Sequence, residues 1–170
     1  MGVVCYVLCV MCYTILGIDP GIADTGFGII KEEKGQLALV DYGCIKTVAG
    51  LPHEQRLKQI HNELNKIIKK YQPHMVAVEK LFFCNNAKTA LIVGEARGVI
   101  MLTACQHNLP IYEYTPLQVK QAVSAYGKAG KMQVQKMVKL LLNMKEIPKP
   151  DDAADALAIA ICCTNNNQNR

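Results

Sequence analysis

The stretch Thr14-Ile-Leu-Gly-Ile-Asp-Pro-Gly-Ile-Ala-Asp-Thr-Gly26 decides the fold. Its first residues are apolar or β-branched, which predicts a buried strand, and Gly17 lets a neighbouring backbone come close. Asp19 follows directly, and Pro20-Gly21 then turns the chain. Ligands of open α/β sheets bind at the carboxyl ends of strands, so Asp19 is a candidate functional residue. The alternative is that Asp19 only hydrogen-bonds its own turn, and this stretch alone does not separate the two.

A second apolar run that ends on a carboxylate is Met75-Val-Ala-Val-Glu79. Apolar residues at helical spacing predict a helix before it, from His53 to Tyr71. A strand after such a helix lies parallel to the first strand through a right-handed crossover. Adjacent strands are ~4.8 Å apart. If these two are neighbours, Asp19 and Glu79 lie at one edge of the sheet, where a single divalent ion could touch both.

The remaining pattern predicts a mixed α/β fold. Short runs after Gly26 are typical of strands joined by tight turns, so the first three strands form an antiparallel meander. With a fifth strand near Leu109–Tyr114, we expect a mixed five-stranded sheet flanked by helices. Further helices are predicted at Ala87–His107, at Leu117–Ala125, around Val134–Leu142 and at Asp151–Ile161. The expected divisions are an apolar extension of uncertain status at 1–10, a single domain at 11–163 and a disordered tail at 164–170.

The last predicted helix begins with further candidate acidic residues. Asp152 and Asp155 are three residues apart and share a helix face, and Asp151 could replace Asp152 in a pair with Asp155. Aspartates in a first turn often cap the helix, which is the preferred interpretation of Asp151. Asp155 lies too far into the helix to cap its N-terminus, and the alanines around it predict that it is buried. A buried carboxylate without a partner is costly. If this helix packs beside the strand ends, all four carboxylates of Asp19, Glu79, Asp152 and Asp155 converge.

Converging carboxylates repel one another unless cations lie among them. Hard oxygen ligands without Cys or His favour Mg²⁺ or Mn²⁺. Two such ions ~4 Å apart can activate a water and stabilise the leaving oxygen in phosphodiester hydrolysis. We therefore predict a site for two Mg²⁺ ions, with Mn²⁺ able to substitute, held by Asp19, Glu79, Asp152 and Asp155.

The charge of the chain is concentrated in one segment. Residues Thr115–Pro150 hold seven lysines and one glutamate, a net +6, whereas the whole chain has +5. A basic surface suits a polyanion such as nucleic acid, although a lysine run alone describes a solvated helix face equally well. Arginine, the better reader of guanine edges, occurs three times. If the partner is nucleic acid, backbone contacts and shape should dominate.

Cysteine usage and the first residues bear on the compartment. The eight cysteines are scattered through apolar runs. Cys9 and Cys12 form the only Cys-x-x-Cys pair of the sequence, and no second pair of Cys or His completes a zinc site. They predict free thiols in a reducing compartment. Residues Val3–Ile18 carry no charge but fall short of the ~20 residues of a spanning helix. We therefore expect a cytoplasmic protein with no membrane association.

Small residues recur in the long predicted helix. Ala90, Gly94 and Gly98 lie four apart, so a strip of small side chains faces one way. Ordinary core packing and a subunit interface explain such a strip equally well.

The order of these motifs resembles the RuvC family of Holliday junction resolvases. They are GIDPG (17–21), VAVEKLFF (76–83), QVKQAV (118–123), Lys131 with QVQKMV (133–138), and DAADALAIA (152–160). The likeness runs from about Met11 to Cys163. GIDPG alone also occurs in related ribonuclease-H-like nucleases and resembles the phosphate loops of actin-type ATPases. An ATPase of that type needs two such domains, which 170 residues cannot hold.

The resemblance implies a ribonuclease-H-like fold, a homodimer and paired incisions of four-way DNA. It matches Asp19, Glu79, Asp152 and Asp155 to catalytic acidic residues, Lys120 and Lys131 to basic residues near the scissile phosphate, and Phe82 to an aromatic that handles bases. Phe83 is a further aromatic that we count with the DNA-binding residues. The expected function is metal-dependent, structure-selective cleavage of Holliday junctions in recombination and repair, with a branch-migration helicase complex as a further partner. The alternatives are a related nuclease acting on RNA and a non-catalytic junction-binding protein.

Overall fold

The computed structural model describes residues 12–80 and 87–167, with the side chains of 87–89 and 166–167 left out. Strands and helices follow one another in the predicted order. They are β1 (Cys12–Asp19), β2 (Asp24–Glu33), β3 (Gln36–Lys46), α1 (His53–Tyr71), β4 (Met75–Glu79), α2 (Ala87–Gln106), β5 (Ile111–Tyr114), α3 (Pro116–Ser124), α4 (Lys131–Leu141) and α5 (Asp151–Asn167).

The strands form one sheet in the order β3-β2-β1-β4-β5. The first three are antiparallel neighbours, whereas β4 is parallel to both β1 and β5. Ile18 pairs with Val78, so Asp19 and Glu79 leave adjacent strands at the same edge of the sheet. The predicted meander and the predicted parallel pairing of β1 with β4 are both confirmed, and the topology is that of the ribonuclease-H-like fold.

Hydrophobic residues are buried on both faces of the sheet because its parallel part is covered by helices on each side. Leu16 and Ile18 of β1 point toward α1 and α2, where they join Ile60 and Ile100. Ile15, which precedes Leu16 in the alternation of the strand, belongs to the opposite layer with residues of α3, α4 and α5. β1 is therefore a central strand, and the carboxylate at its end is held on a rigid support.

Helix α5 lies directly against the backbone of β1 and β2. A β-carbon added at Gly17 would be 2.2 Å from the carbonyl oxygen of Ala156, and one at Gly26 would be 2.0 Å from that of Asp152. No carbon atom fits at such distances, so this contact exists only because both positions are glycine. The close approach predicted for Gly17 is thus present, and it sets the first turns of α5 beside the end of β1.

The structure differs from the sequence prediction mainly at the end of the chain. Helix α5 continues past Ile161 to Asn167, so the expected disordered tail does not begin at Thr164. Thr164 is buried, and the Asn165 side chain donates a hydrogen bond to the carbonyl of Ala122 in α3 (3.2 Å). Docking on α3 keeps this polar turn helical despite the low helix propensity of asparagine. The predicted extension at 1–10 and the final three residues lie outside the described residues.

Two further findings concern the cysteines and the apolar helices. The five cysteines within the described ranges form no disulfide with one another. In the part of the chain that the structure describes, no helix combines the length and the apolar character needed to cross a bilayer.

Candidate active site

The turn after Asp19 is held in place by side chains of β2, of the residue after β3 and of α1. The Thr25 hydroxyl donates to the carbonyl of Gly21 (2.6 Å), and the Thr47 hydroxyl donates to the carbonyl of Ile22 (2.7 Å). Arg56 in turn donates to the hydroxyl oxygen of Thr47 (2.8 Å). Threonines therefore close the turn, and the carboxylate of Asp19 is not required for that purpose.

Asp19 is the electrostatic centre of the site. Burial raises its pKa to about 8, and the negative charges of Glu79, Asp155 and Asp152 contribute to this rise, with partial compensation from Lys131. Coupling of this kind requires the four carboxylates to lie near one another. The structure therefore brings together the acidic residues that the sequence indicated, although they come from two strands and one helix.

Glu79 and Asp155 are also difficult to ionise. Burial raises the pKa of Glu79, and the charge of Asp155 adds to the effect while Lys120 opposes it. Burial likewise raises the pKa of Asp155, against the hydrogen bond and positive charge of Lys131. Each of these carboxylates is thus partly desolvated and faces like charge, which favours binding of a cation.

Lys131 is the first residue of α4 and reaches across to α5. Its Nζ lies 3.1 Å from Asp155 Oδ2 and 3.3 Å from Asp151 Oδ2. Partial burial would lower the pKa of Lys131, but the two ion pairs outweigh it and raise the pKa above its ordinary value. The ammonium group is therefore held charged at the acidic edge of the site.

Lys120 reaches the site from α3. That helix opens with a capping box, in which the Thr115 hydroxyl accepts a hydrogen bond from the Gln118 backbone N–H (3.2 Å). A cleft of about 210 Å³ beside it is lined by Glu79, Lys120, Lys131 and Asp155, with apolar walls from α3, α4 and α5. Two predicted lysines and two predicted carboxylates thus share one cavity of a size that suits a phosphate group.

The structure adds two residues that the sequence pattern did not single out. Gln135 is buried in α4, and its amide donates to Asp151 Oδ1 (3.0 Å). Arg97 of α2 forms an ion pair with Glu113 of β5 and donates to the backbone carbonyl of Glu79 (3.3 Å). A charged residue within this largely apolar helix could have signalled a buried contact. Nothing in the local pattern distinguishes Gln135.

The donor set fits a hard divalent cation in its chemistry, since it consists of carboxylate oxygens alone. Within residues 12–80 and 87–167, no three His, Cys, Asp or Glu side chains lie close enough to hold one ion as they stand. Instead, Lys131 supplies the positive charge at Asp155. Coordination of one ion by three of these side chains therefore needs side-chain rotation.

The predicted aromatic DNA contacts are not covered by the described residues. Phe82 and Phe83 belong to 81–86, outside the described residues, so their role stays a prediction.

A family model described as crossover junction endodeoxyribonuclease RuvC matches residues 15–163. The chain belongs to the RuvC family. It is accordingly a hydrolytic nuclease that resolves Holliday junctions in recombination and repair, and the family is one of metal-dependent nucleases. This membership decides against the alternatives of an RNA nuclease and a non-catalytic junction-binding protein.

Individual RuvC proteins agree with the family assignment. The chain is 59% identical to RuvC of Caldicellulosiruptor saccharolyticus over 149 residues, which cover 87% of this chain and 90% of that protein. It is 58% identical to RuvC of Halothermothrix orenii over 152 residues, covering 89% and 92%. A solved structure of T. thermophilus RuvC in complex with Holliday junction substrate is 35% identical, with a TM-score of 0.88 and coverage of 92% and 95%.

Proposed function

We propose that this RuvC-family nuclease cuts four-way junction DNA by an Mg²⁺-dependent reaction at the carboxylates of Asp19, Glu79, Asp152 and Asp155. Two ions are expected in each active site, with Mn²⁺ able to substitute. The observation that supports this most strongly is the pKa of Asp19, raised to about 8 by burial and by the other three carboxylates. Removing protons from such a cluster is costly unless divalent cations compensate the charge.

The chain's own residues have separate tasks in this proposal. When bound, the ions would supply an activated water and neutralise charge on the leaving oxygen. Asp19 and Glu79, at the ends of two central strands, provide the rigid ligands, and Asp152 and Asp155 provide those from α5. Lys131 offers its ammonium group to the scissile phosphate.

DNA contacts surround this centre. Lys120 lies in the same cleft as Lys131 and is proposed to bind a phosphate next to the one that is cut. Phe82 and Phe83 are proposed to stack on bases at the crossover. The substrate follows from the T. thermophilus RuvC complex with Holliday junction substrate and from the basic segment between Thr115 and Pro150.

A homodimer accounts for paired incisions. The outward face of α2 has Leu91 66% exposed and Leu102 57% exposed. Between them, a β-carbon added at Gly98 would meet nothing within 4 Å, and Ala90 and Gly94 are half-buried. Exposed leucines beside a strip of small residues suit close packing against a second copy of α2. We expect residues 11–163 to form a single nuclease domain within this dimer.

The family resemblance supports two further expectations. The enzyme should act in the cytoplasm, where chromosomal junctions are formed, and a branch-migration helicase complex should deliver the junction to it.

The test compares Asp19→Asn with the wild-type protein on a synthetic four-way junction. Cleavage in Mg²⁺ or Mn²⁺ should be abolished, whereas junction binding measured in Ca²⁺ should be retained, because the change removes a metal ligand and not a DNA contact. Glu63→Gln is the matched control, since Glu63 is a carboxylate on the surface of α1 that pairs with Lys66. Full wild-type cleavage in chelator would refute the metal mechanism. Loss of binding together with cleavage would indicate a structural role for Asp19.

A further inference from the structure

Helices α4 and α5 meet at the acidic edge of the site through four polar side chains. Lys131 and Gln135 are one turn apart on α4, and Asp151 and Asp155 are one turn apart on α5, so each pair shares a helix face. Lys131 Nζ contacts both aspartates, at 3.3 Å and 3.1 Å. Gln135 Nε2 contacts Asp151 Oδ1 at 3.0 Å. The contacts between the two helices thus lie next to the predicted metal ligands.

The two oxygens of Asp151 are engaged by different residues. Oδ1 accepts the hydrogen bond from Gln135, and Oδ2 faces the ammonium group of Lys131. Gln135 is only 4% exposed, so packing in α4 fixes its amide, and the amide in turn fixes the plane of a carboxylate that is itself at the surface.

Asp155 is the less suitable anchor for Lys131, because it is also proposed as a metal ligand. A divalent cation held there would compete with the ammonium group for the same carboxylate. Asp151 can retain Lys131, because its Oδ1 is already used by Gln135 and its Oδ2 points to α4. A lysine has a long flexible stem, so a fixed partner is needed to keep its charge in one place.

We propose that Asp151, oriented by the buried amide of Gln135, is the positioning carboxylate that keeps Lys131 within reach of the scissile phosphate. This inference rests on the catalytic role proposed for Lys131. It gives Asp151 a task different from the metal binding assigned to Asp152, its neighbour in the chain, and from capping of α5 alone.

The test uses Asp151→Asn and Gln135→Met, alone and combined with Lys131→Ala. Single-turnover cleavage of bound junction should fall about 5- to 10-fold in either single variant, because orientation of a catalytic group is lost. The affinity for the junction and the Mg²⁺ concentration for half-maximal rate should not change. In the Lys131→Ala background, neither change should reduce the rate further, since residues that act through one group are not additive. Glu63→Gln is again the control for removal of a surface carboxylate.

Each outcome bears on a different step. Losses that multiply in the Lys131→Ala background would overturn the inference and leave the role of Lys131 intact. A raised Mg²⁺ requirement in Asp151→Asn, with the rate restored at high Mg²⁺, would make Asp151 a metal ligand and would also overturn it. A wild-type rate in Asp151→Asn would also overturn the inference. Because Asp151 is exposed, this variant tests the positioning role even if Gln135→Met fails to fold. A wild-type rate in Lys131→Ala would instead refute the catalytic role of Lys131.

Discussion

Replacing Asp19 by asparagine should make the metal-free protein more stable, and increasingly so as the pH rises. Asp19 is partly buried near three other carboxylates, so its ionised form is disfavoured in the folded protein, and its pKa is raised from 3.8 to about 8. Asparagine has nearly the same shape and carries no charge. The exchange should therefore relieve both the desolvation and the repulsion.

The magnitude follows from the difference in proton binding between the folded and unfolded states. A raised carboxyl pKa means that the folded state holds its proton more tightly, so this contribution to stability is complete below pH 4 and is lost as the pH rises through about 8. Each pH unit in between costs about 1.4 kcal/mol. From pH 5 to pH 8 the wild-type protein should lose about 4 kcal/mol relative to Asp19→Asn, or about 2 kcal/mol if Glu79 shares the proton.

Urea denaturation in the presence of chelator measures this difference at pH 5, 6.5 and 8. The two proteins should be similar at pH 5 and should diverge toward pH 8, where the variant is the more stable. The remaining slope of the variant reports Glu79 and Asp155, whose pKa values burial also raises. Parallel pH profiles for the two proteins, or a variant that is less stable at pH 8, would refute the electrostatic account of the site.

Three further predictions concern the contacts around the site. Gly26→Ala should lower the free energy of unfolding by about 1–3 kcal/mol and reduce cleavage, because the new methyl group displaces α5 from β2. An unchanged urea denaturation curve would contradict the close contact between Gly26 and α5. Lys120→Ala should flatten the slope of log K against log salt by about 0.9, whereas Phe82→Ala should leave that slope unchanged and reduce turnover, because stacking releases no counterions. Junction binding at several salt concentrations separates the two, and equal slopes would refute the division. Gly98→Leu should leave the monomer folded, since the space there is open, yet weaken dimerisation in sedimentation; an active wild-type monomer would contradict the paired-incision proposal.

The strand ends could be predicted from sequence because simple geometry determines them. An apolar run that ends on a carboxylate, followed by a turn, is local information, and it placed Asp19 and Glu79 correctly at one edge of the sheet. Parallel pairing of β1 with β4 then follows from the intervening helix. Asp155 could be identified for a similar reason. It lies too deep in an alanine-rich helix to cap it, and a carboxylate buried there is costly unless a cation or a charged partner compensates it.

Contacts between helices could not be predicted in the same way. The hydrogen bond from Gln135 to Asp151 depends on how α4 docks on α5, and nothing in either segment specifies that angle. The sequence therefore favours helix capping for Asp151, and its position in the first turn of α5 permits this role. Capping does not explain the contacts of Asp151 with Gln135 and Lys131 of α4. The contact of Arg97 with the Glu79 carbonyl likewise depends on the packing of α2 against β4.

Helix α5 resolves a conflict between stability and chemistry in this molecule. Gathering four carboxylates costs free energy of folding, which the raised pKa of Asp19 makes visible. The same helix buries an almost uninterrupted run from Ala153 to Thr164, broken only at Asp155, and packs against Gly17, Gly26 and Gly28 of the sheet. Burial of that run offsets the cost of the acidic residues that begin it. The rigid contact with Gly17 and Gly26 therefore both stabilises the domain and fixes Asp152 and Asp155 beside the strand ends, where flexible loops would let like charges move apart.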